Sequence, residues 1–425
     1  MTRTRTIQRR RAPGAALLAG CGLLAASAAS TMPLAHAATG EAATSLVARV
    51  AVTQANNVYL IDAQGRRAIT TLGTGSRGVS YPTYSWSPDG TYLLLVRDRV
   101  DPKTAQPAGS DLLLLDRSGA VLRTLGHPAQ YADFAPTWAD DGDQIAYLAT
   151  TPPTVNAPMR TVDAVDVRGV TRVLFSYKVQ DGCGGGTADP AEFQQWQQVG
   201  YEGRAPAFQW SIAGRRALYS ATCAGGINVT NTYTGQTRRL ATMTDEATAN
   251  PADATLVAGT RPAPRDTASQ LVLSRLPSGG ADTTVVTLGS GELPRWSRDG
   301  RTLYFVRRTP GAIYHLRDNY GNRLDLQTYT SAIWRAGSDG TGQRRLLAEN
   351  AYTFGPLQLS PDGRALIYTR VANDDALWAH RLPGDRIDTT YLSAFQPALS
   401  VERLDLVTGA VGTLAAPAAR PAVQP

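Results

Sequence analysis

The sequence predicts an all-β protein: a seven-bladed β-propeller of four-stranded antiparallel blades, with six blades as the alternative count. Three observations predict it. A short segment recurs at blade-like spacing, an apolar strand follows each copy, and no strong amphipathic helix pattern competes. The clearest copies are Tyr84–Gly90 (YSWSPDG), Pro294–Gly300 (PRWSRDG) and Leu357–Gly363 (LQLSPDG). Pro136–Gly142 (PTWADDG) and Phe208–Gly214 (FQWSIAG) are weaker.

The elements of one unit follow in order. The tryptophan sits on the first strand, where a large ring fills the wedge between neighbouring blades. Ser-Pro-Asp-Gly is a hairpin connection: Pro presets φ, Asp bonds its own backbone and Gly supplies φ > 0. The second strand is the apolar run after it: Tyr92–Val96, Gln144–Leu148, Ala217–Ser220, Thr302–Val306 and Ala365–Thr369. A third strand ends in a polar glycine turn, as in Asp111–Gly119, and a fourth closes the unit, as in Ala120–Leu125 or Arg344–Leu347. Four strands repeated radially bury both faces of each sheet and leave few open edges.

These segments resemble the PD40 (WD40-like) repeats of TolB-like β-propellers, over residues 45–416. Asp gives way to Ala213 in one copy and Trp to Leu359 in another. The resemblance implies a non-enzymatic scaffold that recruits partners in the cell envelope.

Seven units are counted. The first, Val47–Leu72, has three strands and lacks the recurring segment; the others begin near Val79, Tyr131, Arg204, Met243, Glu292 and Thr353. In the fifth, Asn250-Pro251-Ala252-Asp253 stands where the turn belongs. The first unit lacks an inner strand, which the C-terminal tail is placed to supply, although residues 417–425 are rich in Pro and Ala and read as a tail.

The N-terminus reads as an export signal. Arg3, Arg5, Arg9, Arg10 and Arg11 precede a small and apolar run, and Ala35-His36-Ala37 offers a cleavage site, so residues 1–37 form a signal peptide and 38–44 a linker. Leu18-Ala19-Gly20-Cys21 offers the alternative of a lipobox, with a lipid anchor at Cys21. Either version exports the chain, to a secreted, periplasmic or cell-surface location, with no membrane span in the mature chain. Removing 1–37 takes five arginines and no acid, so the formal net charge falls from +7 to +2. No basic stripe survives, and no nucleic-acid partner is expected. Cys183 and Cys223 remain, an even count that predicts one disulfide in an exported chain.

Insertions fall at Arg99–Ser110, Thr151–Arg160, Lys178–Gly203, Arg261–Ser269, Thr309–Thr330 and Ala372–Ala398. Each lies between strands 2 and 3 or at a blade crossing, so all belong to one face. Asp189-Pro190 reads as the start of a short helix to Gln198 inside one of them. Two insertions carry the residue types that dominate interface hot spots. Tyr314, Arg317, Tyr320 and Arg323 lie on one, with His315 and Asn322; Trp378, His380, Arg381 and Tyr391 lie on the other, with Arg386 and Phe395. Packing of these aromatics onto the disc itself is the alternative for any one of them. An unidentified envelope or extracellular protein is the expected partner, with a carbohydrate or small-ligand binder as the second reading.

Catalysis has little support. There is no Gly-x-Ser-x-Gly elbow, no His-Glu-x-x-His, no Cys-x-x-Cys and no phosphate-cradling glycine loop. A metal-dependent propeller lyase stays as an alternative because His127, His315 and His380 all map to the loop-rich face. No catalytic residue, metal ligand or cofactor is assigned.

Overall fold

A computed structural model describes residues 49–425 apart from 75–77, 105–106, 129–134, 150–158, 179–207, 212–214, 221–225, 244–245, 262–268, 277–280, 318–322, 349–351 and 373–398. The described residues are all-β and contain no helix. Ser45–Pro425 forms one compact unit.

Seven antiparallel sheets follow one another along the chain, and the seven-blade reading holds over the six-blade one. From the inner strand outward, the second blade is β4 (Val79–Trp86), β5 (Leu93–Val100), β6 (Pro107–Leu115) and β7 (Val121–Gly126). The third is β8 (Thr137–Trp138), β9 (Gln144–Leu148), β10 (Met159–Asp166) and β11 (Thr171–Lys178). The fourth is β12 (Phe208–Ser211), β13 (Arg216–Ser220), β14 (Ile227–Asn231) and β15 (Thr237–Arg239). The fifth is β16 (Ala247–Ala249), β17 (Leu256–Arg261), β18 (Gln270–Arg275) and β19 (Thr283–Ser290). The sixth is β20 (Glu292–Trp296), β21 (Thr302–Arg317), β22 (Arg323–Gly337) and β23 (Arg344–Arg345). In the seventh, β24 (Tyr352–Phe354) and β25 (Gln358–Leu359) share the inner position against β26 (Ala365–Ala372). β27 (Leu399–Asp405) and β28 (Val411–Ala415) complete it.

The first blade closes the ring. Its own strands are β1 (Val50–Gln54), β2 (Asn57–Asp62) and β3 (Gly65–Ala68), and its inner strand is β29 (Ala419–Val423) from the far end of the chain. Val423 pairs with Val50 and Ala422 with Ala51. Residues 417–425, set apart as a Pro/Ala-rich tail, therefore contribute a structural strand. Ties on both flanks hold it: Tyr84 donates its hydroxyl to the Arg420 carbonyl at 2.5 Å, and the Arg420 amide donates to Thr369 Oγ1 at 2.9 Å.

Pro421 is accommodated because an inner strand pairs on one edge only, and its register slips between Ala51 and Thr53. The same device recurs. Pro82 lies in the irregularity between Ser80 and Thr83, Pro294 in that between Glu292 and Arg295, and Pro356 between β24 and β25.

The turns between strands 1 and 2 are chemically identical in three blades. Ser87, Ser297 and Ser360 each donate a hydroxyl to the Asp two residues on, at 2.6 Å. Each also accepts an amide at 2.9 Å from the residue at or just before the start of the second strand, Tyr92, Thr302 and Ala365. Gly90, Gly300 and Gly363 close the turns at φ of 69°, 69° and 67°. The Ser297 and Ser360 hydroxyls lead the bonds that hold the Asp299 and Asp362 carboxyls below the usual carboxylate range. In the fifth unit Asn250 takes over, accepting the amides of Ala252 and Asp253 and donating to the Gly300 carbonyl at 2.6 Å.

The core is not one body but seven clusters, each drawn from two neighbouring blades. Trp86, Trp138, Trp210 and Trp296 are buried in four of them. Three indoles also reach across the seam to the preceding inner strand. Trp86 donates to the Ala422 carbonyl at 3.2 Å, Trp138 to Ser85 at 3.2 Å and Trp296 to Thr248 at 3.1 Å. The wedge role read from sequence is met, and a hydrogen bond that the sequence did not announce is added to it.

Candidate functional site

Antiparallel order fixes the two faces of each blade. Connections 1–2 and 3–4 share one face; connections 2–3 and the crossings between blades share the other. The first face is built from tight turns whose polar groups serve the turn itself. Asp116 accepts the amides of Ser118 and Ala120, Asp166 those of Arg168 and Val170, and Asp405 those of Val407 and Thr408. Such aspartates are spent on backbone geometry.

The second face carries the longer connections. On the second blade, strand extends into what the sequence suggested was loop: Arg99 pairs with Gly109 and Val100 with Pro107. A polar cluster sits at this end. The buried Asp111 carboxylate accepts Arg97 Nε at 3.0 Å, Arg97 Nη2 at 2.6 Å and Arg99 Nη2 at 3.1 Å. His127, one of the three histidines mapped to this face, brings Nδ1 to 3.2 Å from Asp111 Oδ1. Beside it, burial pushes the Asp98 carboxyl up to about 6; the Ser110 hydroxyl donated to it at 2.5 Å opposes that shift, and the Asp111 charge adds to it. The cluster's buried acid is already engaged by two guanidinium groups, so it braces the rim of the blade.

The sixth blade departs most from a bare loop. The insertion read as Thr309–Thr330 is a continuation of β21 and β22, which stay paired as far as Arg317 with Arg323. Within it Tyr314 pairs with Leu326 and His315 with Asp325, so Tyr314, Arg317 and Arg323 lie on this ribbon, and Ile313 and His315 are exposed. Its root is anchored. Arg307 donates to the carbonyls of Ser290 at 3.1 Å and Leu288 at 2.9 Å in the fifth blade, and its guanidinium lies 4.1 Å from the Trp334 ring centroid. At the same root Arg308 pairs with Glu292.

The remaining predicted residues, Tyr320, Trp378, His380, Arg381 and Tyr391, lie outside the described residues, as do Cys21, Cys183, Cys223 and the 189–198 segment. The structure thus brings three of the eight predicted binding residues onto one ribbon and leaves the other five without a described position. Among the described residues no group of three or more His, Cys, Asp or Glu is placed to hold a metal ion, and no helix is long and apolar enough to cross a membrane.

Several solved structures are similar to this chain at low identity. TolB from Acinetobacter baumannii is 14% identical, with 88% of this chain and 82% of that chain covered and a TM-score of 0.42. Puromycin hydrolase is 14% identical at a TM-score of 0.46, over 76% of this chain and 48% of its own length. A putative 6-phosphogluconolactonase from Bacteroides fragilis is 12% identical at 0.45, over 88% of this chain and 95% of that one. No family model matches the chain, and no curated protein matches it in sequence. Likeness at this level assigns no chemistry to the chain.

Proposed function

We propose that the protein is an exported, non-enzymatic scaffold that binds a protein partner through the face carrying its 2–3 connections and blade crossings. One observation carries the reading: that face bears a β-ribbon outrunning its blade, while the opposite face is made of short turns that satisfy themselves. A ribbon braced at its root by Arg307 and Arg308 presents its residues on a rigid element, which lowers the ordering cost of association. The exported setting rests on the N-terminal sequence, and the envelope partner rests on the TolB-like repeats.

The test is cross-linked capture from envelope fractions with two variant sets. Tyr320→Ala, Arg323→Ala, Trp378→Ala and Arg381→Ala together are expected to abolish capture of the partner, each being worth about 2 kcal/mol if buried at the interface. Arg298→Ala with Arg364→Ala, on the turn face, is expected to leave it intact. Arg117 is a poor control because its guanidinium holds the Gly90 carbonyl at 3.1 Å. Loss of capture in the turn-face set alone overturns the reading.

A further inference from the structure

The residue before the buried tryptophan occupies a ring of equivalent positions on the seven inner strands. Carbonyl acceptance from the next blade's indole fixes Ala422, Ser85 and Thr248 as equivalents, and strand register adds Thr137, Gln209 and Gln358. Those six are uncharged. The seventh is Arg295, paired across the strand with Tyr304. Side chains alternate along a strand, and Trp296 turns toward the fifth blade, where it packs with Leu256, Ala258 and Leu271. Arg295 therefore turns the other way, toward the seventh blade, on a strand whose free edge faces the axis of the ring.

Its surroundings set it apart. Arg295 is exposed to solvent, unlike its six equivalents, which are buried or half-buried. Protein nevertheless surrounds it closely enough that desolvation, with no opposing charge, pulls its guanidinium below the usual range. A solvent-exposed side chain on an inner strand, whose free edge faces the axis, opens toward the centre of the ring. The Arg295 side chain makes no hydrogen bond or ion pair among the described residues. The acids nearest in sequence and seam are committed elsewhere, Glu292 to Arg308 and Glu246 to the Leu293 amide at 2.7 Å. The described inner strands carry only three charged residues, Glu292, Arg295 and Arg420; Glu292 pairs with Arg308, and Arg420 donates to the Pro82 carbonyl at 2.7 Å.

An uncompensated guanidinium in such a place is costly to keep, and a planar fork of donors matches an oxyanion. We propose that Arg295 is the recognition point of an anion-binding site in the channel of the propeller, accepting the carboxylate or phosphate group of a small ligand. The site is separate from the loop-bearing face and does not depend on it.

The test is thermal unfolding and calorimetric titration of the full chain with inorganic phosphate and with acetate, against chloride at equal ionic strength. The expected result is saturable binding and a rise in Tm with at least one of the two oxyanions but not with chloride. Phosphate alone marks a phosphoryl ligand, and acetate a carboxylate. Arg295→Gln should weaken that binding by about tenfold or more, as loss of a charged donor group requires. Arg298→Gln, on the turn face, should leave it unchanged. Arg295→Lys, which keeps the charge without the fork, should fall between. Removing a desolvated, unpaired charge does not threaten folding, so Arg295→Gln remains informative. Equal binding by wild type and Arg295→Gln, or no saturable response to either oxyanion, overturns the site.

Discussion

At the scale of single residues, the same chemical group takes opposite roles according to what surrounds it. Asp299 and Asp362 are stabilised as carboxylates by their turn hydroxyls, whereas Asp98 is destabilised as one by burial. Its folded-state pKa, about 6, lies above the ordinary value of 3.8. The folded chain therefore binds the Asp98 proton more tightly than the unfolded chain does. Its contribution is fully favourable below about pH 4 and is lost as pH rises to about 6 and beyond, by about 2–3 kcal/mol. Asp98→Asn, which keeps a partner for Ser110, should raise stability at pH 7 by up to that amount and confer no advantage at pH 4. Chemical denaturation at the two pH values checks this; equal gains at both would show that the carboxyl does not titrate in this range. The tryptophans give a second residue-level expectation. Trp296→Ala should cost about 3–5 kcal/mol through the cavity left at the seam. Trp296→Phe should cost less, since the ring remains and only the indole bond to Thr248 goes.

At the scale of elements, the ribbon of β21 and β22 separates presentation from folding. Replacing Gly311–Gln327 with a two-residue turn should leave the melting temperature within a few degrees, because the cut lies beyond the roots at Arg307 and Arg308 and its described residues are exposed. Under the proposed function it should remove partner capture, and retained capture would move the interface elsewhere. A fall in Tm of more than about 8 °C would mean that the ribbon packs on the blades. This element also marks where sequence reading stops. Trp-Ser-Pro-Asp-Gly is legible because a hairpin turn is local: Ser, Asp and Gly meet their partners within five residues. Thr309–Thr330 looked like a loop because Pro310, Gly311 and Gly321 interrupt its pattern, while cross-strand pairs such as Thr309 with Thr330 are not adjacent in the sequence. Arg295 is hard to read from sequence for a related reason. It stands as one more arginine beside a tryptophan, and only its six uncharged equivalents, scattered along the chain, set it apart. Cys183 and Cys223 carry an expectation of their own: secreted protein should show no free thiol, the closed loop of about 40 residues contributing roughly 3–4 kcal/mol.

At the scale of the whole molecule, stability is shared among seven seams, and the one between the seventh and first blades depends on a strand from the other end of the sequence. Val423, Ala418 and Ala415 pack there with Val50, Val52 and Ile367. Deleting residues 417–425 removes β29, the carbonyl that accepts the Trp86 indole and the two carbonyls that accept the Tyr84 hydroxyl. The shortened chain should unfold at a lower denaturant midpoint and lose the single cooperative transition of the intact ring. It should also associate through the bared edge of β1. A truncated chain that stays monomeric and melts as the wild type does would show that β29 is dispensable.

That arrangement has a consequence for how the protein is made. Val50 waits for Val423, so during synthesis the earliest blade is the last to be finished, and every intermediate length of chain carries an open strand edge. Loop closure over so long a span comes late and slowly, and two nascent chains held close together can each complete the other's first blade. Joining Pro425 to Arg49, whose carbonyl accepts the Gln424 amide at 2.8 Å, and opening the chain at a crossing between other blades would turn β29-β1-β2-β3 into an uninterrupted run. Such a circular permutant should refold faster than the natural order and with less intermolecular exchange, because its hardest contact has become its nearest one.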